Sequence, residues 1–174
     1  MRPSPAQVAR ANGRQARLLR LQWGAEVNAI SFAIPIAPKA SNKRHAFVIG
    51  GQARVVQDKG VVQHQAQIAT LAAAHRPDAP LDEPVEVQIV CVLPRPQGLC
   101  KLSARTGLPL VPPGRRRHTS KPDCDNLAKS VLDGLKSWWR DDCVVQVLHV
   151  EKWTAALGEQ PHYQVTVRSP DGGL

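Results

Sequence analysis

Residues 84–93, PVEVQIVCVL, limit how this chain can fold more than any other stretch. In an extended segment successive side chains point to opposite faces, so Val85, Val87, Ile89, Cys91 and Leu93 share one face. Val90 and Val92 make the second half apolar on the other face too. Such a strand has to be covered on both sides, which predicts a central position in a sheet. Other segments supply its neighbours. Residues 26–36, EVNAISFAIPI, alternate with Ile30, Phe32, Ile34 and Ile36 on one face, and Pro35 and Pro38 end the run and open the polar loop PKASNKRH. Residues 46–49 read as a short strand, and 143–151 and 162–168 as two more joined by a turn near Gly158. Helical spacing runs over 58–76 through Val62, Gln65, Ala66, Ala69 and Ala73, with Pro77 beyond its end, and again over 124–139. Between these lies a long Pro-rich loop, 94–122, of the kind that is functional or mobile. The order β-β-α-β-loop-α-β-β predicts an α+β domain over 26–168, a mixed β-sheet packed against two main helices.

Charge narrows the partners. Of the 174 residues, 23 are Lys or Arg against 14 Asp or Glu, a net +9, so a polyanion is expected. The excess is uneven. Residues 1–25 carry Arg2, Arg10, Arg14, Arg17 and Arg20 and no acid. They read as a basic extension, either a helix interrupted at Gly13 or a segment disordered until it meets DNA. Residues 101–121 carry Lys101, Arg105, Arg115, Arg116, Arg117 and Lys121, again with no acid. Residues 122–142 then set five aspartates (Asp123, Asp125, Asp133, Asp141, Asp142) against Lys129, Lys136 and Arg140. An acidic knot in a basic chain suits a metal-dependent nuclease. The cations attract the phosphate backbone and the carboxylates hold the divalent ion.

On a helix, Asp125, Lys129, Asp133 and Lys136 fall within an arc of about 80°. Leu127, Ala128, Val131, Leu132, Leu135, Trp138 and Trp139 fill the opposite arc, Trp139 at its edge and open to a stacking role. Asp123 and Asp125 lie at the first turn, where an aspartate is often only a cap. Capping explains one of them well and two less well, and leaves Asp141–Asp142 unexplained. Lys129 has an ordinary alternative as the i,i+4 ion-pair partner of Asp125. Asp133 is open between a structural pair and a supporting role.

The pattern in KPDCDNLAKSVLDGLKSWWRDDCVV resembles the RusA family of Holliday-junction resolvases, endonucleases common in prophages. The family's D-x-D-N-x-x-K-x-x-x-D-x-L core is matched by Asp123, Asp125, Asn126, Lys129, Asp133 and Leu135, and its later aspartate pair by Asp141 and Asp142. The strand ending at Glu151–Lys152 and the early loop holding Asn42, Lys43 and Arg44 are also similar, so the resemblance spans about 30 to 168. It implies Mg²⁺, with Mn²⁺ as a substitute, held by Asp123, Asp125 and one of Asp141 and Asp142, with Asp142 favoured as the second of the pair. It implies Lys129 as a catalytic residue steadying the nucleophile or the charge on the phosphate. It further implies branched DNA as substrate and a homodimer, since a two-fold junction is resolved by two related nicks. Arg115, Arg116, Arg117, Lys121, Asn42, Lys43 and Arg44 are the DNA-contact candidates. A non-catalytic junction-binding phage regulator is the alternative from another class.

Several readings are negative. No run of 18 apolar residues exists, so no membrane span is expected. The N-terminal stretch has no signal-peptide core. Cys91, Cys100, Cys124 and Cys143 form no CxxC pair, which predicts reduced thiols in the cytoplasm. His118, Cys124 and Cys143 match no zinc spacing. Residues 169–174 are expected to fray.

Overall fold

A computed structural model describes residues 29–41 and 44–169. The predicted basic extension over 1–25, Asn42, Lys43 and the predicted tail beyond Ser169 lie outside the described residues, and so does the side chain of Arg44.

The strand with apolar residues on both faces is central. β1 (Ala29–Ile34), β2 (Arg44–Ile49), β3 (Gln52–Gln57), β4 (Val85–Leu93), β5 (Arg116–Arg117), β6 (Val145–Thr154) and β7 (His162–Arg168) make two sheets. The larger has the order β1-β7-β4-β6-β5. β4 and β6 are parallel and all its other pairs antiparallel, so the sheet is mixed. Two helices, α1 (Lys59–Ala72) and α2 (Cys124–Gly134), pack on one face. The core there combines Phe32, Ile34, Val87 and Ile89 of the sheet with Ile68 of α1 and Leu127 and Val131 of α2. On the other face Val90 and Val92 join Ala155 in a smaller cluster. The predicted α+β architecture is therefore the observed one.

Several elements differ from expectation. Residues 52–57 form an extra strand, because Gly50 and Gly51, at φ 58° and 78°, supply the left-handed turn that closes a tight β2–β3 hairpin. α1 turns Val61, His64, Ile68 and Ala72 to the core and leaves Val62 exposed. His64 wins the inward place because its Nε2 lies 3.1 Å from the buried Tyr163 hydroxyl. The second helix stops at Gly134, and Lys136 sits in a separate 3₁₀ turn, Lys136–Trp138. Trp139 is buried along with Trp138, so it is core and not a stacking platform.

The Pro-rich loop is ordered. Arg95 is its hub, donating from Nε to Leu99 O, from Nη1 to Gly114 O and Ala155 O, and from Nη2 to Pro112 O, all at 2.8–3.2 Å. One guanidinium thus ties four carbonyls together. Within the loop Arg116 and Arg117 pair with Thr154 and Trp153 of β6, which adds the short edge strand β5.

Candidate active site

α2 begins at Asp123, whose backbone is extended (φ −77°, ψ 154°) and whose carbonyl accepts from Leu127 N at 3.2 Å. Its carboxylate makes no capping hydrogen bond. The ordinary explanation for an aspartate at this position therefore does not apply. Asp125, in the first turn, is exposed, and among the described residues its carboxylate meets the neighbouring Asn126 Nδ2, at 3.3 and 3.4 Å. Lys129 is exposed on the next turn. It forms no ion pair with Asp125 among the described residues. Two carboxylates and an amine with no ion-pair partner among the described residues thus share the solvent side of α2, near the end where the helix dipole adds positive potential. Asp133 is engaged elsewhere, accepting from Gln65 Nε2 of α1 at 2.8 Å.

Asp141 and Asp142 divide their work. The Asp141 carboxylate accepts from Cys143 N at 3.0 Å and caps the 3₁₀ turn Asp142–Val144. That backbone hydrogen bond is the main reason its carboxyl lies below the usual carboxylate range. Asp142 is exposed and makes no such bond.

The structure places Asp123 and Asp125 at the same helix start and Asp142 away from it. Lys152, near the end of β6, reaches the loop just before Asp123, so α2 starts beside that end of the strand. Asp142 precedes the opposite end. There Trp138 and Arg140 hydrogen-bond to Leu81, just ahead of β4. The seven steps from Val145 to Lys152 span roughly 23 Å of strand. Among the described residues no three of His, Cys, Asp and Glu stand together as a metal group. The donor type, hard carboxylate oxygen, suits Mg²⁺ or Mn²⁺. The placement within a single chain does not gather the four aspartates around one ion.

The basic loop is partly tied down. Arg115 forms a bidentate pair with Glu159, through Nε at 2.9 and 3.0 Å and through Nη2. Burial pushes the Glu159 carboxyl up, but this pairing and the Ala156 N–H outweigh it and hold it low. Arg117 lies over the Trp153 ring, 5.2 Å from its centroid. Arg116 and Lys121 are exposed with no side-chain partner among the described residues. Glu151 is bound by Trp153 Nε1 at 2.8 Å and His149 Nε2 at 3.1 Å. Burial would raise its carboxyl, and these bonds outweigh that and lower it.

A family model described as endodeoxyribonuclease RusA matches residues 35–168. The chain belongs to the RusA family. Its site lies on a RusA endodeoxyribonuclease frame, and the matched span holds every strand of both sheets except β1. The chain is also similar to the uncharacterised protein YqaN of Bacillus subtilis (strain 168), 25% identical over 143 residues, which is 82% of this chain and 97% of that protein. No helix among the described residues is long and apolar enough to cross a membrane.

Sequence reasoning missed Arg95 and Glu159, which shape the site, and named Lys152 only as part of the family resemblance, with no role. All act through bonds between a side chain and a distant loop. The lone acid Glu159, beyond a strand that faces an acid-free loop, was the one available signal.

Proposed function

We propose that this RusA family member is a Mg²⁺-dependent endonuclease, served also by Mn²⁺, that resolves Holliday junctions and related branched DNA by paired symmetric nicks, working as a homodimer in the cytoplasm. The observation that carries this reading is the pair of exposed carboxylates at the start of α2 beside Lys129, which has no ion pair among the described residues. A helix start normally attracts and binds phosphate. Two carboxylates there repel it, unless a cation stands between them and the DNA.

When bound, the cation would polarise the scissile phosphate and acidify a water. Asp123 and Asp125 are its holders on this chain, with Asp142 completing the set. Asp142 is favoured over Asp141 because the Asp141 carboxylate is already committed to Cys143 N. A single chain keeps Asp142 a strand's length from Asp123, so the reading places Asp142 of the partner subunit next to Asp123 and Asp125. The dimer is then needed for the chemistry as well as for symmetry. Lys129 neutralises charge that develops on the phosphate. Arg116, Arg117 and Lys121 contact the backbone of the DNA, joined by Asn42, Lys43 and Arg44, while Arg115 holds the loop in place through Glu159.

The test is a labelled four-way junction incubated with Mg²⁺ or with EDTA, using the protein and its D123N and D125N variants. Paired nicks that need metal and vanish in both variants, with junction binding kept or tightened, are expected. Tight binding with no nicking in any metal would instead identify a junction-binding protein without catalysis.

A further inference from the structure

Lys152 uses its amine in an unusual way. It lies on β6 opposite Cys91 of β4, so it projects from the helix-bearing face of the sheet. Its Nζ donates to Ser120 O at 2.7 Å and to Pro122 O at 2.8 Å. The carbonyl between them, Lys121 O, accepts from His118 Nε2 at 3.2 Å, while His118 Nδ1 lies 3.0 Å from Thr154 Oγ1. Three consecutive carbonyls ahead of Asp123 are therefore held from the end of β6. The Pro122 carbonyl belongs to the peptide plane that ends at Asp123 N. On the other side, Asp123 O is fixed by Leu127 N. The Asp123 backbone is thus clamped before and after, while its side chain makes no capping hydrogen bond and has no partner among the described residues.

From this we infer that Lys152 is a positioning residue for the nuclease site, setting the direction in which the Asp123 carboxylate leaves the backbone. The inference rests on the proposed role of Asp123. It makes Lys152 a cation that works on two carbonyls of the loop, Ser120 O and Pro122 O, and not on DNA. Rigid placement matters at such a site because a misplacement of about 1 Å can cost roughly 10²-fold in rate.

Lys152→Met keeps the aliphatic stem and removes both hydrogen bonds. Lys152→Arg keeps donors of similar reach. Nicking of a four-way junction is followed against Mg²⁺ concentration, junction affinity is measured without Mg²⁺, and amide exchange is read over 118–127 and over 85–93. In K152M we expect a single-turnover rate lower by roughly tenfold to 10²-fold, and a higher Mg²⁺ concentration for half-maximal rate. Affinity stays at its wild-type value, exchange is faster over 118–127, and exchange over 85–93 is unchanged. K152R recovers much of the rate. A loop with a merely structural role would not move the Mg²⁺ requirement. Wild-type rate and Mg²⁺ requirement in K152M, or unchanged exchange over 118–127, overturn the inference. If K152M does not fold, Lys152→Gln, which keeps an uncharged amide NH₂ on a shorter side chain, is measured in the same way and must show the same shifts in smaller degree. If the unaltered protein does not nick, the nuclease reading fails, and the exchange data still decide whether Lys152 holds the Asp123 loop.

Discussion

If one subunit provides Asp123 and Asp125 and the other provides Asp142, two inactive proteins mixed together make an active one. The geometry is demanding. α2 is 11 residues long, roughly 16 Å, and the strand beside it is longer still. Two oxygens on one Mg²⁺ lie at most about 4 Å apart. No side-chain rotation closes that difference within a chain. In a D123N homodimer both sites lack one carboxylate, and likewise in a D142N homodimer. A heterodimer of the two places both substitutions in one site and none in the other. Random exchange at equal concentration gives about half heterodimers, hence about a quarter of the wild-type number of intact sites. The assay mixes the variants, allows subunit exchange, and follows a labelled junction in Mg²⁺. Each variant alone should be inactive, and the mixture should reach about a quarter of the wild-type rate, with single nicks in place of paired ones. D141N alone should cleave well, since its carboxylate is occupied with Cys143 N. A mixture as inactive as its parts, with heterodimers present by native mass spectrometry, would refute the shared site.

Three further outcomes are expected. Changing Arg116 and Arg117 to alanine should flatten the slope of log K against log salt by roughly 0.9 for each phosphate that is no longer neutralised, whereas R115A should mainly loosen the loop it ties to Glu159; an unchanged slope in the double variant rules out backbone binding by these two side chains. Gly134→Ala should destabilise, because its new Cβ would stand 2.6 Å from Ile68 Cγ2 and 3.1 Å from Gln65 O, and overpacking of about 1–3 kcal/mol exceeds the gain of about 1 kcal/mol in helix propensity. A thermal midpoint at or above wild type contradicts that balance. Burial, with Lys39 nearby, holds the His64 imidazole below its ordinary value of 6.5. Its contribution is complete above pH 6.5 and is lost as pH falls through the folded value, because the unfolded chain takes up the proton first. Denaturant titrations across this window should show a steeper acid loss in wild type than in H64Q.

The parts of the fold that were legible in the sequence are those set by local pattern. β4 declared itself because Val90 and Val92 broke the alternation on its outer face, and β1 because Ile30, Phe32 and Ile34 kept it. The start of α2 was legible because two aspartates at one helix end exceed what capping requires. α1 was harder. Its alanines give helical spacing on more than one face, and only the Tyr163 hydroxyl, far along the chain, turns His64 inward. The separation of Asp142 from Asp123 was hidden for a similar reason. Nineteen positions of sequence say nothing of direction, and it is the return of α2 along β6 that sends the two ends apart.

The β2–β3 hairpin behaves as its own unit on the time axis. Its strands pack mainly on each other, and Val48, Ile49, Val55 and Val56 remain exposed. A two-stranded sheet without further cover is marginal in water. It therefore opens far more often than the five-stranded sheet, with a free energy near the bottom of the range for local unfolding. Its amides should exchange first, and limited proteolysis should cut within 44–57 while the rest of the domain stays intact.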